Sequence, residues 1–398
     1  MKQSKSILIF TVTFAFVLGW IPNLVSCQSE EITPQTEEEA AKDDTLSRQQ
    51  AMEAAKDIYN DLVDEQQAER ERELEEKAIT IGDHTMKWLE KTFGEEPEDG
   101  RSLWISMHGG GSGSKGMNDG QWRNQIGLYQ PAEGIYLAPR APTDTWDLWH
   151  QAHIDGLFSR LIENMVAYRN VNPDKVYLMG YSAGGDGVWQ LAPRMADRFA
   201  AASMMAGHPN ESRLLGLRNL PFGIFMGGAD AAYDRNNIAA EKTEEIKRLQ
   251  ADDQDGYPHM SQIYEGLPHW MNSKDRESLP WMAKFTRRTW PDKIVWYQDD
   301  VIHDRFYWLE LPPGTAKKDQ LITATVNDQK ITLEGDVPEG TRILLNDSFI
   351  NLDKPVEVTL NGTEPKTYTP KRDVEVMKKA LEKRLDPHSI PSAVIVIE

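Results

Sequence analysis

The chain has a single cysteine, Cys27, among 398 residues, which excludes an intrachain disulfide. Positive charge is also scarce, because 44 Lys and Arg face 63 Asp and Glu, for a formal net charge of −19. Nucleic-acid binding needs clustered Lys and Arg, so a nucleic-acid partner is not expected. There is no evident internal repeat, which argues against a solenoid or propeller. The length allows two domains around a sizeable core.

The N-terminus has the order of an export signal. Lys2 and Lys5 precede an apolar stretch over residues 7–20. Residues 24–27, Leu-Val-Ser-Cys, follow and resemble the lipobox of bacterial lipoproteins. That resemblance implies a signal peptide at 1–26, a lipid on Cys27 and a place in the bacterial cell envelope, at the outer membrane. A plain secretory cleavage and an uncleaved membrane anchor are the alternatives.

The next segment, residues 27–78, is acidic and contains few large apolar side chains. In its second half Ala51, Ala55, Ile58 and Leu62 recur at helical spacing. The heptad pattern is not sustained, which disfavours a partner-binding coiled coil. We therefore predict an acidic tether that ends in a solvated spacer helix.

Strands alternate with helices over residues 79–290. Residues 103–107 and 134–138 are short apolar runs typical of buried strands, and residues 154–166 carry a regular helical stripe. This alternation predicts an α/β domain whose mostly parallel sheet has helices on both faces. Short alternating runs then predict a small β-rich accessory domain at 291–398.

One motif in the α/β region points to catalysis. A predicted strand leads into Gly180-Tyr181-Ser182-Ala183-Gly184, the Gly-x-Ser-x-Gly form of a nucleophile elbow. A serine hydroxyl is a poor nucleophile unless a base takes its proton and a third group orients that base. In this arrangement the three groups occur along the chain in the order Ser, acid, His.

The predicted acid is Asp230, which follows the strand predicted at 222–226. Ligands gather at the carboxyl ends of strands in such sheets, which favours this position. Asp234 is the alternative acid, although it is better placed to cap the helix that begins near Asn236.

The predicted base is His269, in the loop that follows a strand ending at Tyr264. His259 precedes that strand and would lie at its opposite end. His303 and His388 belong to the accessory region. Order and loop position therefore favour His269.

A glycine-rich loop at residues 108–111 follows the strand at 103–107. We predict that the backbone N–H groups of Gly109, Gly110 and Ala183 form an oxyanion hole.

Phosphate-binding alternatives for the same loop fit less well. A Walker A loop requires Gly where Ser114 precedes Lys115. Residues 111–116 match Gly-x-Gly-x-x-Gly, but residues 117–120 do not resemble a helix start and no acid follows the next strand. The histidines show no metal-ligand spacing, so neither a cofactor nor a metal is expected.

Tryptophans are frequent in the predicted loops. Trp149 and Trp270 are the two expected to line a substrate cleft. The alternative for both is packing in the core.

These motifs together resemble the α/β-hydrolase superfamily, near secreted carboxylesterases, feruloyl esterases and polyhydroxybutyrate-depolymerase-like enzymes. The matching motifs are 108–111, 180–185, 227–230 and 266–269. The resemblance implies hydrolysis of a small-molecule or polymeric carboxylic ester through an acyl-enzyme at Ser182. Gly185 also resembles the prolyl-oligopeptidase-like branch, so a serine peptidase is one alternative. A non-catalytic, membrane-tethered binding protein is the other.

Overall fold

An eight-stranded sheet is the central element of the structure, a computed structural model that describes residues 45–398. The predictions for the export signal, Cys27 and the segment before residue 45 lie outside this range. The strands are β1 (Ala78–Ile81), β2 (His84–Phe93), β3 (Arg101–Met107), β4 (Gly134–Arg140), β5 (Val171–Tyr181), β6 (Ala201–Met205), β7 (Phe222–Gly227) and β8 (His259–Tyr264). Their order is β1-β2-β4-β3-β5-β6-β7-β8.

The six strands from β4 to β8 in this order run parallel, whereas β2 is antiparallel to β4 and β1 is antiparallel to β2. Strands β4, β6 and β7 are buried along their whole length, as expected of parallel strands covered by helices. The helices are α1 (Arg48–Glu76), α2 (Lys115–Gln125), α3 (His153–Tyr168), α4 (Ala183–Arg194), α5 (Arg235–Asp252), α6 (Ser278–Met282) and α7 (Val374–Lys383). The predicted α/β fold is confirmed.

Helix α1 differs from the predicted solvated spacer, because one of its faces is docked on the protein. Ala51 and Leu62 are buried in a cluster with residues of α7. Near its end, Glu73 accepts hydrogen bonds from Arg160 Nε at 3.0 Å and Asn164 Nδ2 at 2.7 Å, both on α3. Glu73, one of the acidic residues that indicated a solvent-exposed helix, is therefore buried in an ion pair with Arg160. Among residues 45–398, no helix has the length and apolar character needed to cross a membrane.

The region after residue 290 is rich in short strands, as predicted. They are β9 (Lys293–Tyr297), β10 (Arg305–Phe306), β11 (Leu309–Glu310), β12 (Leu321–Asn327), β13 (Lys330–Gly335), β14 (Arg342–Leu345), β15 (Val356–Leu360), β16 (Lys366–Tyr368) and β17 (Ala393–Val396). They form a five-stranded sheet, β16-β15-β13-β12-β9, and a four-stranded sheet, β10-β11-β14-β17.

The α/β region and the β-rich region that follows residue 290 share one hydrophobic core. One hydrophobic cluster contains side chains of the central sheet together with Trp296 and Trp308 from the C-terminal strands. Buried Arg287 bonds Asp386 with Nη1 at 2.6 Å and Asp174 with Nε at 3.0 Å, so it joins the C-terminal region to the base of β5. Residues 45–398 accordingly form one compact unit.

Candidate active site

The Gly-x-Ser-x-Gly motif forms a sharp turn between β5 and α4. Ser182 sits at its tip with φ 59° and ψ −122°, a conformation that costs a non-glycine residue about 1–3 kcal/mol. The flanking glycines are required by close contacts: a Cβ on Gly180 would lie 2.2 Å from the carbonyl oxygen of Gly184. Ser182 N–H donates to the Met205 carbonyl on β6 at 2.9 Å, which holds the turn against the sheet.

The structure brings the three predicted reactive side chains together. His269 Nε2 lies 3.0 Å from Ser182 Oγ, and His269 Nδ1 lies 2.6 Å from Asp230 Oδ2. Asp230 follows β7 and His269 follows β8, so two adjacent parallel strands deliver them to the same edge of the sheet. The side chain of Asp230 is 2% exposed and that of His269 is 40% exposed. The carboxylate is thus shielded while the imidazole faces the cleft.

The rejected histidines and the alternative acid have other partners. Asp234 occupies the N-cap position of α5 without a side-chain capping bond, and it accepts a hydrogen bond from Asn237 Nδ2 at 2.7 Å. His303 Nε2 contacts Asp155 Oδ2 at 2.8 Å, and His388 Nδ1 contacts Asp174 Oδ2 at 2.6 Å. Each of these two histidines pairs with an aspartate and not with Ser182. A contact between Asp and His therefore does not by itself identify the general base.

The glycine loop after β3 lies directly against the serine. A Cβ on Gly109 would come within 3.1 Å of Ser182 Cβ, and Gly110 has φ +123°, so both positions favour glycine. Ala183 is the first residue of α4, where backbone N–H groups have no partner within the helix. The predicted oxyanion-hole residues Gly109, Gly110 and Ala183 therefore line the clefts that contain Ser182.

His108 shapes the start of this loop and does not act at the serine. Its Nε2 accepts a hydrogen bond from Ala141 N–H at 3.2 Å, so Nδ1 carries the proton and donates to the Gly109 carbonyl at 2.6 Å. Burial lowers the pKa of His108 to about 4, and the ring is neutral at neutral pH.

A helix follows the glycine loop, where the sequence was expected to lack one. Helix α2 begins at Lys115 because Ser114 Oγ accepts a hydrogen bond from Met117 N–H at 3.2 Å. From within α2, buried Asn118 accepts from Gly111 N–H at 3.1 Å and donates to the Gly111 carbonyl at 3.0 Å. Asn118 was not predicted as a site residue, because no helix start was expected at residues 117–120. Its role depends on its position in α2, from which it binds the backbone of Gly111.

Of the two tryptophans expected to line a cleft, Trp149 lies in the core and Trp270 lies at a cleft surface. Trp149 is fully buried and donates from Nε1 to the His108 carbonyl at 2.9 Å, so it supports the loop from the core. Trp270 is 46% exposed and lines the cleft beside His269. Trp146, three positions before Trp149, is the exposed tryptophan on the other side of the serine.

Three further residues near the serine were not singled out from the sequence. Tyr181 donates from its hydroxyl to the His269 carbonyl at 2.6 Å. Arg235 Nη1 lies 3.4 Å from Asp230 Oδ1, so a cation approaches the buried carboxylate. Asp186 accepts from His208 N–H at 2.6 Å, and burial raises the pKa of Asp186 to about 6. Tyr, Arg and Asp are common residue types, and the spacing of these three along the chain does not indicate that they belong to one site.

A cluster of carboxylates lies apart from these residues. Glu211, Asp299 and Asp300 bring carboxylate oxygens within 4.8 Å of one another. Acidic clusters of this kind are common without an ion, so we assign no metal to it.

Residues 137–300 match the model of the dienelactone hydrolase family. The match spans β4 to β9, and so includes the elbow, Asp230 and His269. The chain has an α/β-hydrolase fold. The predicted α/β-hydrolase fold is confirmed, and the match supports the prediction of a carboxylic ester hydrolase.

Solved structures similar to this hydrolase are distant. A thermostable esterase is 19% identical, with 53% of this chain and 62% of that chain covered and a TM-score of 0.39. The LpqC poly(3-hydroxybutyrate) depolymerase from Bordetella parapertussis is 16% identical over 50% of this chain and 89% of its own, with a TM-score of 0.38. Thermogutta terrifontis esterase 2 is 16% identical over 52% and 91%, with a TM-score of 0.35. No curated protein matches the chain.

Proposed function

We propose that the protein hydrolyses carboxylic esters through an acyl-enzyme on Ser182, with His269 as general base and Asp230 as its orienting acid. The observation that carries the proposal is the unbroken chain of contacts from Ser182 Oγ to His269 Nε2 at 3.0 Å and from His269 Nδ1 to Asp230 Oδ2 at 2.6 Å. For Nε2 to accept the serine proton, Nδ1 must carry a hydrogen, and the Asp230 carboxylate stabilises that tautomer.

The reaction follows from this tautomer in two halves. In the first, His269 Nε2 takes the proton of Ser182 as Oγ bonds to the ester carbon, and the carbonyl electrons move to oxygen. The N–H groups of Gly109, Gly110 and Ala183 stabilise that oxyanion. Its collapse breaks the bond to the alcohol oxygen, which leaves with the proton from His269. In the second half, His269 Nε2 takes a proton from a water as the water oxygen bonds to the acyl carbon. The bond from that carbon to Ser182 Oγ then breaks, Oγ takes the proton back from His269, and the carboxylic acid is released.

The peptidase alternative has no specific support in the site. Gly185, which suggested it, is required by packing, since a Cβ there would lie 2.6 Å from the Met205 carbonyl oxygen. A non-catalytic binding role would leave the strained turn at Ser182 without a purpose.

The nucleophile can be tested by fluorophosphonate labelling together with hydrolysis of p-nitrophenyl acetate. We expect Ser182→Ala to abolish both, whereas Ser348→Ala, at an exposed serine of the C-terminal region, should retain both. Asp230→Asn should keep the hydrogen-bond geometry but favour the wrong tautomer, lowering kcat by about 10⁴-fold, as in other Ser-His-Asp sites. Labelling that persists in Ser182→Ala would refute the proposal.

We further propose that the enzyme is held at the bacterial cell envelope by a lipid on Cys27. The support is the order Lys2, Lys5, an apolar stretch and the Leu-Val-Ser-Cys motif. In a bacterial host, the wild-type protein should incorporate labelled fatty acid and enter the detergent phase. Cys27→Ser should do neither, and equal partitioning of the two proteins would contradict the lipid anchor.

A further inference from the structure

Two clefts of different size meet at Ser182. The His269 cleft has a volume of about 750 Å³ and is lined by Gln121, Asn124, Tyr181, His269 and Trp270. The Arg235 cleft has a volume of about 340 Å³ and lies on the other side of the serine. Its polar lining residues include Asp186, His208, Asn210 and Arg235. Gly110, Met117 and Ser182 line both clefts, so one ligand can extend from the serine into each.

The chemistry of ester cleavage decides which half of a substrate enters which cleft. The tetrahedral intermediate carries Ser182 Oγ, an oxyanion, the leaving oxygen and the acyl substituent. His269 Nε2 has to contact both Oγ and the leaving oxygen, because it moves the proton from one to the other. The leaving alcohol therefore lies on the side of His269. The oxyanion turns towards Gly109, Gly110 and Ala183, where the two clefts meet, so the acyl substituent extends away from His269 into the Arg235 cleft.

The His269 cleft has the surface of a site for a neutral hydroxylated group. Trp270 offers an exposed indole, and its ring lies 5.7 Å from that of Tyr181. Gln121 and Asn124, one helical turn apart on α2, are exposed and also line this cleft. None of the described residues that line this cleft carries a formal charge. Amides can both donate to and accept from hydroxyl groups, while the indole covers an apolar ring face.

The Arg235 cleft is smaller and charged. The guanidinium of Arg235 is fixed by contacts with Asp230 at 3.4 Å and with the Tyr233 ring, whose centroid lies 4.8 Å away. Asp186 and Asn210 add further hydrogen-bonding groups to the same wall. A long alkyl chain would strip water from these groups and return no hydrogen bonds, which is unfavourable. A short acyl chain bearing a hydroxyl group would satisfy them.

We propose that the substrate is an ester that joins a short hydroxylated acyl group, bound in the Arg235 cleft, to a larger neutral polyol of sugar-ring size, bound against Trp270. This assignment rests on the proposed function, because it requires His269 to protonate the leaving alcohol.

The test separates acylation from deacylation. Acetylated methyl glucoside and ethyl acetate deliver the same acyl group from different alcohols, so both form the same acetyl-enzyme. Trp270→Ala should lower kcat/KM for the acetylated glucoside by about tenfold and for ethyl acetate by less than twofold. Its deacylation rate should equal that of the wild type, which would also show that His269 remains in place.

Trp146→Ala is the matched variant, because Trp146 is likewise an exposed tryptophan but lines the Arg235 cleft. It should affect both acetate esters equally and change the deacylation rate. With wild-type enzyme, p-nitrophenyl 3-hydroxybutyrate should exceed p-nitrophenyl octanoate in kcat/KM by at least about tenfold. A loss in Trp270→Ala that is equal for both alcohols, or a preference for octanoate, would overturn the assignment while acyl-enzyme formation still upheld the proposed function. Failure of Ser182 to acylate would refute both.

Discussion

Removing the hydroxyl of Tyr181 is expected to slow catalysis as well as to weaken the fold. That hydroxyl donates to the His269 carbonyl at 2.6 Å and accepts from the Met271 N–H at 3.2 Å. It therefore fastens both sides of Trp270 and holds the loop that carries His269. Burial raises the pKa of Tyr181 well above its usual value, so the hydroxyl stays protonated and can donate.

The size of the effect follows from what Tyr181→Phe leaves unpaired. Met271 is fully buried, so its N–H loses a partner that water cannot easily replace. An unsatisfied buried group costs about 1–3 kcal/mol, and we expect the free energy of unfolding to fall by that amount. Released from Tyr181, the loop can shift His269 from the 3.0 Å contact with Ser182 Oγ. A displacement of about 1 Å can lower the rate about 10²-fold, so we expect kcat to fall by about 10- to 100-fold.

Tyr177→Phe provides the control, because Tyr177 lies four residues earlier on β5 and also donates to a loop carbonyl, that of Phe285, at 3.0 Å. Both variants lose one hydroxyl-to-carbonyl bond, but only Tyr181 contacts the His269 loop. Urea unfolding should show a loss of stability in both variants, larger in Tyr181→Phe because the Met271 N–H is also left unpaired. By contrast, kcat on p-nitrophenyl acetate and the fluorophosphonate labelling rate should fall only in Tyr181→Phe. Equal kcat values for the two variants would refute the positioning role.

Three further predictions concern stability. Arg287→Met leaves the Asp174 and Asp386 carboxylates without their buried cation, and urea unfolding should show a loss of about 3–5 kcal/mol. Burial opposes ionisation of Asp386, but Arg287 holds its pKa well below the usual carboxyl range. The ion pair of Asp386 with Arg287 should therefore stabilise the protein fully above about pH 4, and this stabilisation should decline as the pH falls further. The free energy of unfolding, measured at pH 7 and at pH 3, checks this expectation. Leu62→Ala on α1 should cost about 2 kcal/mol or more by thermal unfolding, whereas a solvated helix would lose almost nothing.

The reactive residues could be predicted from the sequence because their placement depends on local order. Each follows a strand, and parallel neighbouring strands end at the same edge of a sheet. Ser182, Asp230 and His269 therefore converge once β5, β7 and β8 lie in one sheet, whatever the details of packing. The fold could be predicted for the same reason, since buried parallel strands have continuous apolar runs that are readable without knowledge of their partners.

Features that depend on distant contacts could not be predicted in the same way. One of the contacts that dock α1 is the hydrogen bond between Glu73 and Arg160. No local pattern in an acidic helix identifies which of its carboxylates is buried. Trp146 and Trp149 are three residues apart in one loop, and Trp149 is the buried member because it bonds the His108 carbonyl and packs against Phe158. Loops lack a periodicity that would reveal which side chain faces the core.

Tyr181 lies inside the motif that sequence reasoning located most firmly, yet its role was not predictable. Backbone contacts require glycine at positions 180 and 184, and the chemistry requires serine at position 182. The motif does not specify the residue at position 181. Its partner, the His269 carbonyl, is 88 residues further along the chain. The elbow motif therefore specifies where the nucleophile stands, whereas the loops that meet it specify how firmly the base is held and which ester can reach it. The same motif can thus serve different substrates, and the walls contributed by α2, Trp146 and Trp270 are where selectivity has to be sought.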